Sequence, residues 1–85
     1  MSLNIQEKWT ALRGLGYTGA QEDMELEYYL DNGATTRSVR DAENEFLTAL
    51  GYTTGTVEDK WKSYLTFLSY TGTVDDMLKQ YWASL

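Results

Sequence analysis

Tyr70-Thr71-Gly72-Thr73-Val74-Asp75-Asp76-Met77-Leu78-Lys79-Gln80-Tyr81-Trp82 is a variation on a unit used earlier in the chain. Its Gly72, Asp76 and Tyr81 keep the spacing of Gly55, Asp59 and Tyr64, and of Gly19, Asp23 and Tyr28. A Tyr-Thr pair precedes each set, at Tyr70, Tyr52 and Tyr17. A more divergent copy, Ser38-Val39-Arg40-Asp41 followed by Phe46-Leu47, aligns with Thr56-Val57-Glu58-Asp59 followed by Tyr64-Leu65. A fifth, Ile5-Gln6-Glu7-Lys8-Trp9, aligns with Val57-Glu58-Asp59-Lys60-Trp61. The acidic anchors Glu7, Asp23, Asp41, Asp59 and Asp76 then follow one another at steps of 16, 18, 18 and 17 residues, the mark of one short unit copied in tandem.

Each unit carries helix punctuation. Asn4-x-x-Glu7, Ser38-x-x-Asp41, Thr56-x-x-Asp59 and Thr73-x-x-Asp76 have the capping-box form, in which a side-chain oxygen takes a free backbone N–H and the acid three residues on returns the bond. Only Ala20-x-x-Asp23 lacks the capping side chain. The acids also sit in the first turn, where the helix dipole favours negative charge. At the other end, Gly16, Gly33, Gly51 and Ser69 stand where a left-handed residue stops a helix. Such a stop brings together Leu12 with Tyr17, Leu47 with Tyr52 and Leu65 with Tyr70, so the recurring Tyr-Thr-Gly reads as a turn.

Between start and stop the apolar residues recur at helical spacing. Val57, Trp61, Tyr64, Leu65 and Leu68 follow one stripe, and Val74, Leu78, Tyr81, Trp82 and Leu85 repeat it position for position. The pattern predicts helices near 4–14, 21–32, 38–50, 56–68 and 73–84, with Trp9, Trp61, Tyr64, Tyr81 and Trp82 buried. The predicted fold is all-α, a compact array or bundle of about five short helices from tandem turn-helix repeats, residues 1–85 forming one domain.

Composition narrows the chemistry. The 85 residues include neither Cys nor His, which removes disulfides, thiolate nucleophiles and the usual zinc ligands. Asp31-Asn32-Gly33 has the opening of a calcium loop but lacks its other ligand positions and closing Glu. The five repeated acids read as helix caps rather than as paired catalytic carboxylates, which converge on one cleft. No phosphate-binding glycine motif is present. The expectation is therefore no catalytic residue, no cofactor, no metal, no small-molecule substrate and no enzyme activity. Between Ala20 and Leu47, eight acids against two bases account for the whole net charge of -6. That acidic middle argues against nucleic acid and favours a basic partner, and Lys60 and Lys62 beside Trp61 make only a small basic patch. No apolar run approaches a membrane span, and Met1 to Lys8 lack the blocks of a signal peptide, so no membrane association and a soluble, cytoplasmic origin are expected.

The second helix departs from the shared stripe. Anchored on Asp23 it turns Tyr28 inward; shifted by one residue it turns Leu26, Tyr29 and Leu30 inward. Either register leaves an apolar pair over, Met24 with Tyr28 or Leu26 with Leu30. A helix buried between neighbours on both sides would absorb the spare pair. Otherwise Met24 and Tyr28, rimmed by Glu22, Glu25 and Glu27, form a candidate partner-binding strip with an apolar centre and an acidic edge.

Leu47-Thr48-Ala49-Leu50-Gly51-Tyr52-Thr53 and the run from Tyr70 to Trp82 resemble a short repeat of small tailed-bacteriophage proteins. In that family an L-G-Y-T-G turn leads into a helix with Asp near its start and Tyr-Trp or Tyr-Leu near its end. The copies beginning near Leu12, Leu47 and Leu65 match it well; Arg37 stands where the pattern has Gly, and Thr54 is an extra turn residue. The resemblance implies a virion-associated or accessory protein with no catalytic residues to carry over. It points to a non-enzymatic structural or adaptor protein in a neck, tail or capsid-associated position. Its partners would be other virion proteins or its own copies, and its location the virion, or the host cytoplasm before assembly. The alternative is a small acidic phage effector that binds and inhibits a host protein.

Overall fold

A computed structural model describes residues 5–85 and contains five helices: α1 (Gln6–Gly14), α2 (Gln21–Asp31), α3 (Val39–Ala49), α4 (Val57–Phe67) and α5 (Val74–Ala83). The chain is all-α, as the repeat pattern predicts. The Asn4 cap lies outside the described residues.

Two capping boxes close fully. Thr56 Oγ1 accepts from Asp59 N at 3.2 Å while Asp59 Oδ2 accepts from Thr56 N at 3.1 Å. Thr73 and Asp76 repeat this at 3.2 and 3.3 Å. The recurring Gly-x-x-x-Asp belongs to the same device. Gly55 and Gly72 have φ of +86° and +106°, and a Cβ on either would fall 2.8 or 2.9 Å from the Cβ of its Asp. The glycine thus makes room for the acid that caps the helix.

The Ser38-x-x-Asp41 box does not form: the Ser38 side chain makes no cap bond. Arg37 replaces the glycine there, so the tight approach is missing. The turn is held instead by Glu45, whose carboxylate accepts from Thr35 N at 3.0 Å, Thr36 N at 2.9 Å and Thr35 Oγ1 at 2.8 Å. These donors, the Thr35 backbone first, lower the Glu45 pKa. Accordingly, Asp59→Ala is expected to cost about 0.5–2 kcal/mol. Ser38→Ala should change stability by less than about 0.5 kcal/mol. Thermal unfolding of the two variants checks the contrast; equal losses would contradict it.

The helix stops recur four times. Tyr17, Tyr52 and Tyr70 N–H groups each donate to the carbonyl of Leu12, Leu47 or Leu65 at 3.1 Å, and Ala34 N donates to Tyr29 O at 2.9 Å. Among the described residues Ser69, at φ +73°, is the one non-glycine in the left-handed region. A Cβ in that region is unfavourable by about 1–2 kcal/mol, so Ser69→Gly is expected to stabilise the protein, by about 0.5–1 kcal/mol after the added freedom of the unfolded glycine. Urea unfolding would show the gain as a higher midpoint at unchanged slope.

Each helix packs on its chain neighbours, and α5 returns to α1, closing a five-helix ring. Large side chains fill the centre. Tyr28, Phe46, Trp61, Tyr81 and Trp82 form a circuit of ring contacts at 5.8, 5.9, 5.6, 5.2 and 5.3 Å. Trp9, Trp61, Tyr81 and Trp82 are buried as predicted, and Tyr64 is half-buried. Leu68 and Leu85 prove exposed, because each lies beyond the last residue of its helix.

Candidate functional site

The predicted partner-binding strip is not on the surface. Met24 is 2 % exposed and Tyr28 8 %, and Glu25, placed on the rim, is 2 % exposed. Glu22 and Glu27 alone are solvent-facing, with Glu27 in a surface ion pair with Arg37 at 3.7 Å. Helix α2 buries residues of both registers, Met24 and Tyr28 of the one anchored on Asp23 and Tyr29 of the shifted one. It turns Tyr28 into the ring's centre, where its hydroxyl lies 2.7 Å from that of Tyr81 and its ring packs on Trp82. The surplus apolar pair is Leu26 and Leu30, both half-buried.

Glu25 belongs to a polar network joining four helices. Lys8 Nζ of α1 donates to Glu25 Oε1 of α2 at 3.2 Å, and Tyr29 donates its hydroxyl to Glu25 Oε2 at 2.8 Å. Tyr29 also lies 3.5 Å from Glu43 Oε2 of α3, which accepts from Trp61 Nε1 of α4 at 2.9 Å. Lys8, Glu25, Tyr29, Glu43 and Trp61 are all buried. A signal for this network was available in the repeat. The residues one and two places after each acidic anchor are Lys8-Trp9, Met24-Glu25, Ala42-Glu43, Lys60-Trp61 and Met77-Leu78, and every one is buried. Glu25 and Glu43 therefore occupy the inward place held elsewhere by Trp or Leu. Lys60, the other buried lysine, donates to Asn44 Oδ1 at 2.7 Å and Thr48 Oγ1 at 3.2 Å. It therefore joins α3 to α4 and leaves only Lys62 of the small basic patch exposed.

Burial pushes the Glu43 carboxyl from 4.5 up to about 7, against the opposing hydrogen bond from Trp61. Between those pH values the folded chain keeps a proton that the unfolded chain has released. The stability linked to Glu43 is thus fully present below pH 4.5 and is lost as pH rises through about 7. From about pH 5 to pH 7.5, wild type is expected to lose on the order of 2 kcal/mol relative to Glu43→Gln. Urea titrations of both proteins across that range provide the test, and parallel pH profiles would contradict it.

Surface grooves lie among the described residues. One, of about 590 Å³, lies between α1, α2 and the start of α3, with Trp9, Leu26, Arg37 and Arg40 on its walls. Another, of about 650 Å³, runs between α1 and α5, lined by Ala11, Leu15, Trp82 and Leu85. Leu15 and Leu85 are both exposed there, and Phe67, at 75 % exposure, stands out on α4. Asp59 and Asp76, read from their recurrence as helix caps rather than paired catalytic carboxylates, each bond the backbone at the start of their own helix. Among the described residues no three acidic side chains gather where they could hold a metal ion, and no helix is long and apolar enough to cross a membrane. Compared with protein-family models, with curated proteins and with solved structures, the chain matches none.

Proposed function

We propose that this protein is a non-enzymatic structural or adaptor component of a bacteriophage particle, acting through protein–protein contacts in a neck, tail or capsid-associated position. The observation that carries the reading is how the chemistry-bearing groups divide between backbone, interior and surface. The repeated acids of α4 and α5 cap their own helices, and Glu25 and Glu43 are enclosed in the core. The surface includes an apolar groove between α1 and α5, with Leu15 and Leu85 exposed in it. Exposed apolar surface of this kind suits association rather than turnover. The L-G-Y-T-G turn-helix resemblance supplies the phage setting. Other virion proteins or further copies of this chain are the partners, and the virion, reached from the host cytoplasm, is the location.

Mass spectrometry of gradient-purified particles tests the proposal. Recovery in a fixed, multiple copy number per particle is the expected result. Absence from particles, together with recovery in a complex with a host protein, would replace it with the acidic-effector reading.

A further inference from the structure

Asn32 and Gly33 follow the last residue of α2 and lie on the surface. An Asn followed by Gly is a reactive pair, because the glycine nitrogen can reach the Asn side-chain carbonyl carbon with no Cβ in the way. We propose that Asn32–Gly33 is a site of spontaneous deamidation, held in check by the helix stop of α2 and released when the last turn of that helix opens.

The chemistry needs only water. The Gly33 backbone nitrogen gives up its proton and bonds to Asn32 Cγ; the Cγ–Nδ2 bond breaks, and ammonia leaves carrying the proton. The product is a five-membered succinimide. Water then opens it at the side-chain carbonyl to give aspartate, or at the backbone carbonyl to give isoaspartate.

The folded geometry opposes the first step. Asn32 Nδ2, the leaving nitrogen, donates to Tyr28 O at 2.7 Å. Asn32 has ψ of 27°, which turns the Gly33 nitrogen away from the Asn32 side chain. Ring closure therefore requires a rotation of well over a right angle about the Cα–C bond. Gly33, at φ +111°, also lies close against α3, where an added Cβ would fall 3.1 Å from Ala49 Cβ, so the turn has little room to move in that direction. The next residue, Ala34, is buried and donates its N–H to Tyr29 O at 2.9 Å. Helix ends open locally at far less free energy than global unfolding, so the reaction proceeds through the opened turn.

The change is one-way in its effect. An aspartate at position 32 has no N–H to give Tyr28 O, and its charge stands at the negative end of the α2 dipole. It also neighbours Asp31, whose carboxylate already accepts the Tyr17 hydroxyl at 2.6 Å. Isoaspartate lengthens the backbone inside the turn that the Ala34–Tyr29 bond closes. Either product weakens the stop that restrained the reaction.

The test is to incubate the chain at neutral pH, folded or in urea, and to follow Asn32 and Asn44 by peptide mass spectrometry with enzymatic isoaspartate labelling. The expected result is conversion of Asn32 ahead of Asn44 in urea, slowed roughly tenfold or more in the folded chain. Asn32→Gln should abolish the signal at that position, and Asn32→Asp should lower the melting temperature. Conversion of Asn32 no faster than Asn44 in urea would overturn the site, and equal rates folded and unfolded would overturn the restraint.

Discussion

Trp61→Ala is expected to cost about 3–5 kcal/mol, a large part of the roughly 5–15 kcal/mol that holds a small domain together. Trp61 is 1 % exposed and touches three other rings, with Phe46 of α3 at 5.9 Å, Tyr64 of α4 at 6.1 Å and Tyr81 of α5 at 5.6 Å. Truncation to Ala opens a cavity at the point where α3, α4 and α5 meet, and the closed ring limits how far they can collapse into it. It also removes the indole N–H that Glu43 Oε2 accepts. Trp61→Phe keeps most of the ring contact and loses that donor, so it should fall between wild type and Ala. Phe67→Ala is the control on the same helix: mostly solvated, it should shift stability by less than about 0.5 kcal/mol. Urea unfolding followed by circular dichroism separates the three. A Trp61→Ala loss no larger than that of Phe67→Ala would mean that the aromatic circuit is not the core.

The helix boundaries were legible in the sequence because they are set locally. A Thr and an Asp three residues apart cap a helix wherever it sits, and Leu65 with Tyr70 reports a helix stop without reference to any other part of the chain. Ser69 was legible for the same reason: it stands in the repeat where Gly16 and Gly51 stand, and takes their backbone conformation. Ring closure was not legible, because the contact of α5 with α1 depends on how successive units turn, and the repeat is equally compatible with an open array. The partner-binding strip was one of two readings of α2, and the burial of Met24, Tyr28 and Glu25 fits the other, a helix covered by neighbours on both sides. In a closed ring it has α1 and α3 on its flanks and α5 across the centre, so Met24, Tyr28 and Tyr29 all find cover. Tyr28 was in fact marked: it occupies the repeat position of Tyr64 and Tyr81. Charge hid the rest, since a glutamate at a core position is read as surface until its partners on other helices are known.

Those partners lead to the second large effect. Lys8→Met is expected to destabilise the protein by about 3–5 kcal/mol, because it leaves the buried Glu25 carboxylate without the ammonium 3.2 Å away. Lost packing contributes little, since Met nearly matches the Lys stem in volume. What the substitution removes is the compensation for taking Glu25 out of water. Converting the Lys8–Glu25–Tyr29 part of the network tests that cause, with Glu43 still bonded by Trp61. Lys8→Met with Glu25→Leu and Tyr29→Phe removes the ammonium, the carboxylate and the hydroxyl that bonds it at 2.8 Å, leaving a patch that the neighbouring Trp9 and Leu12 can pack against. Replacing a buried ion pair by apolar groups of similar volume is commonly neutral or stabilising, so the triple variant should recover most of what Lys8→Met alone loses. Additive losses across the three substitutions would instead mean that the network contributes net stability to the ring. Recovery would mean that its energetic weight lies in mutual compensation between buried groups rather than in net stabilisation of the ring.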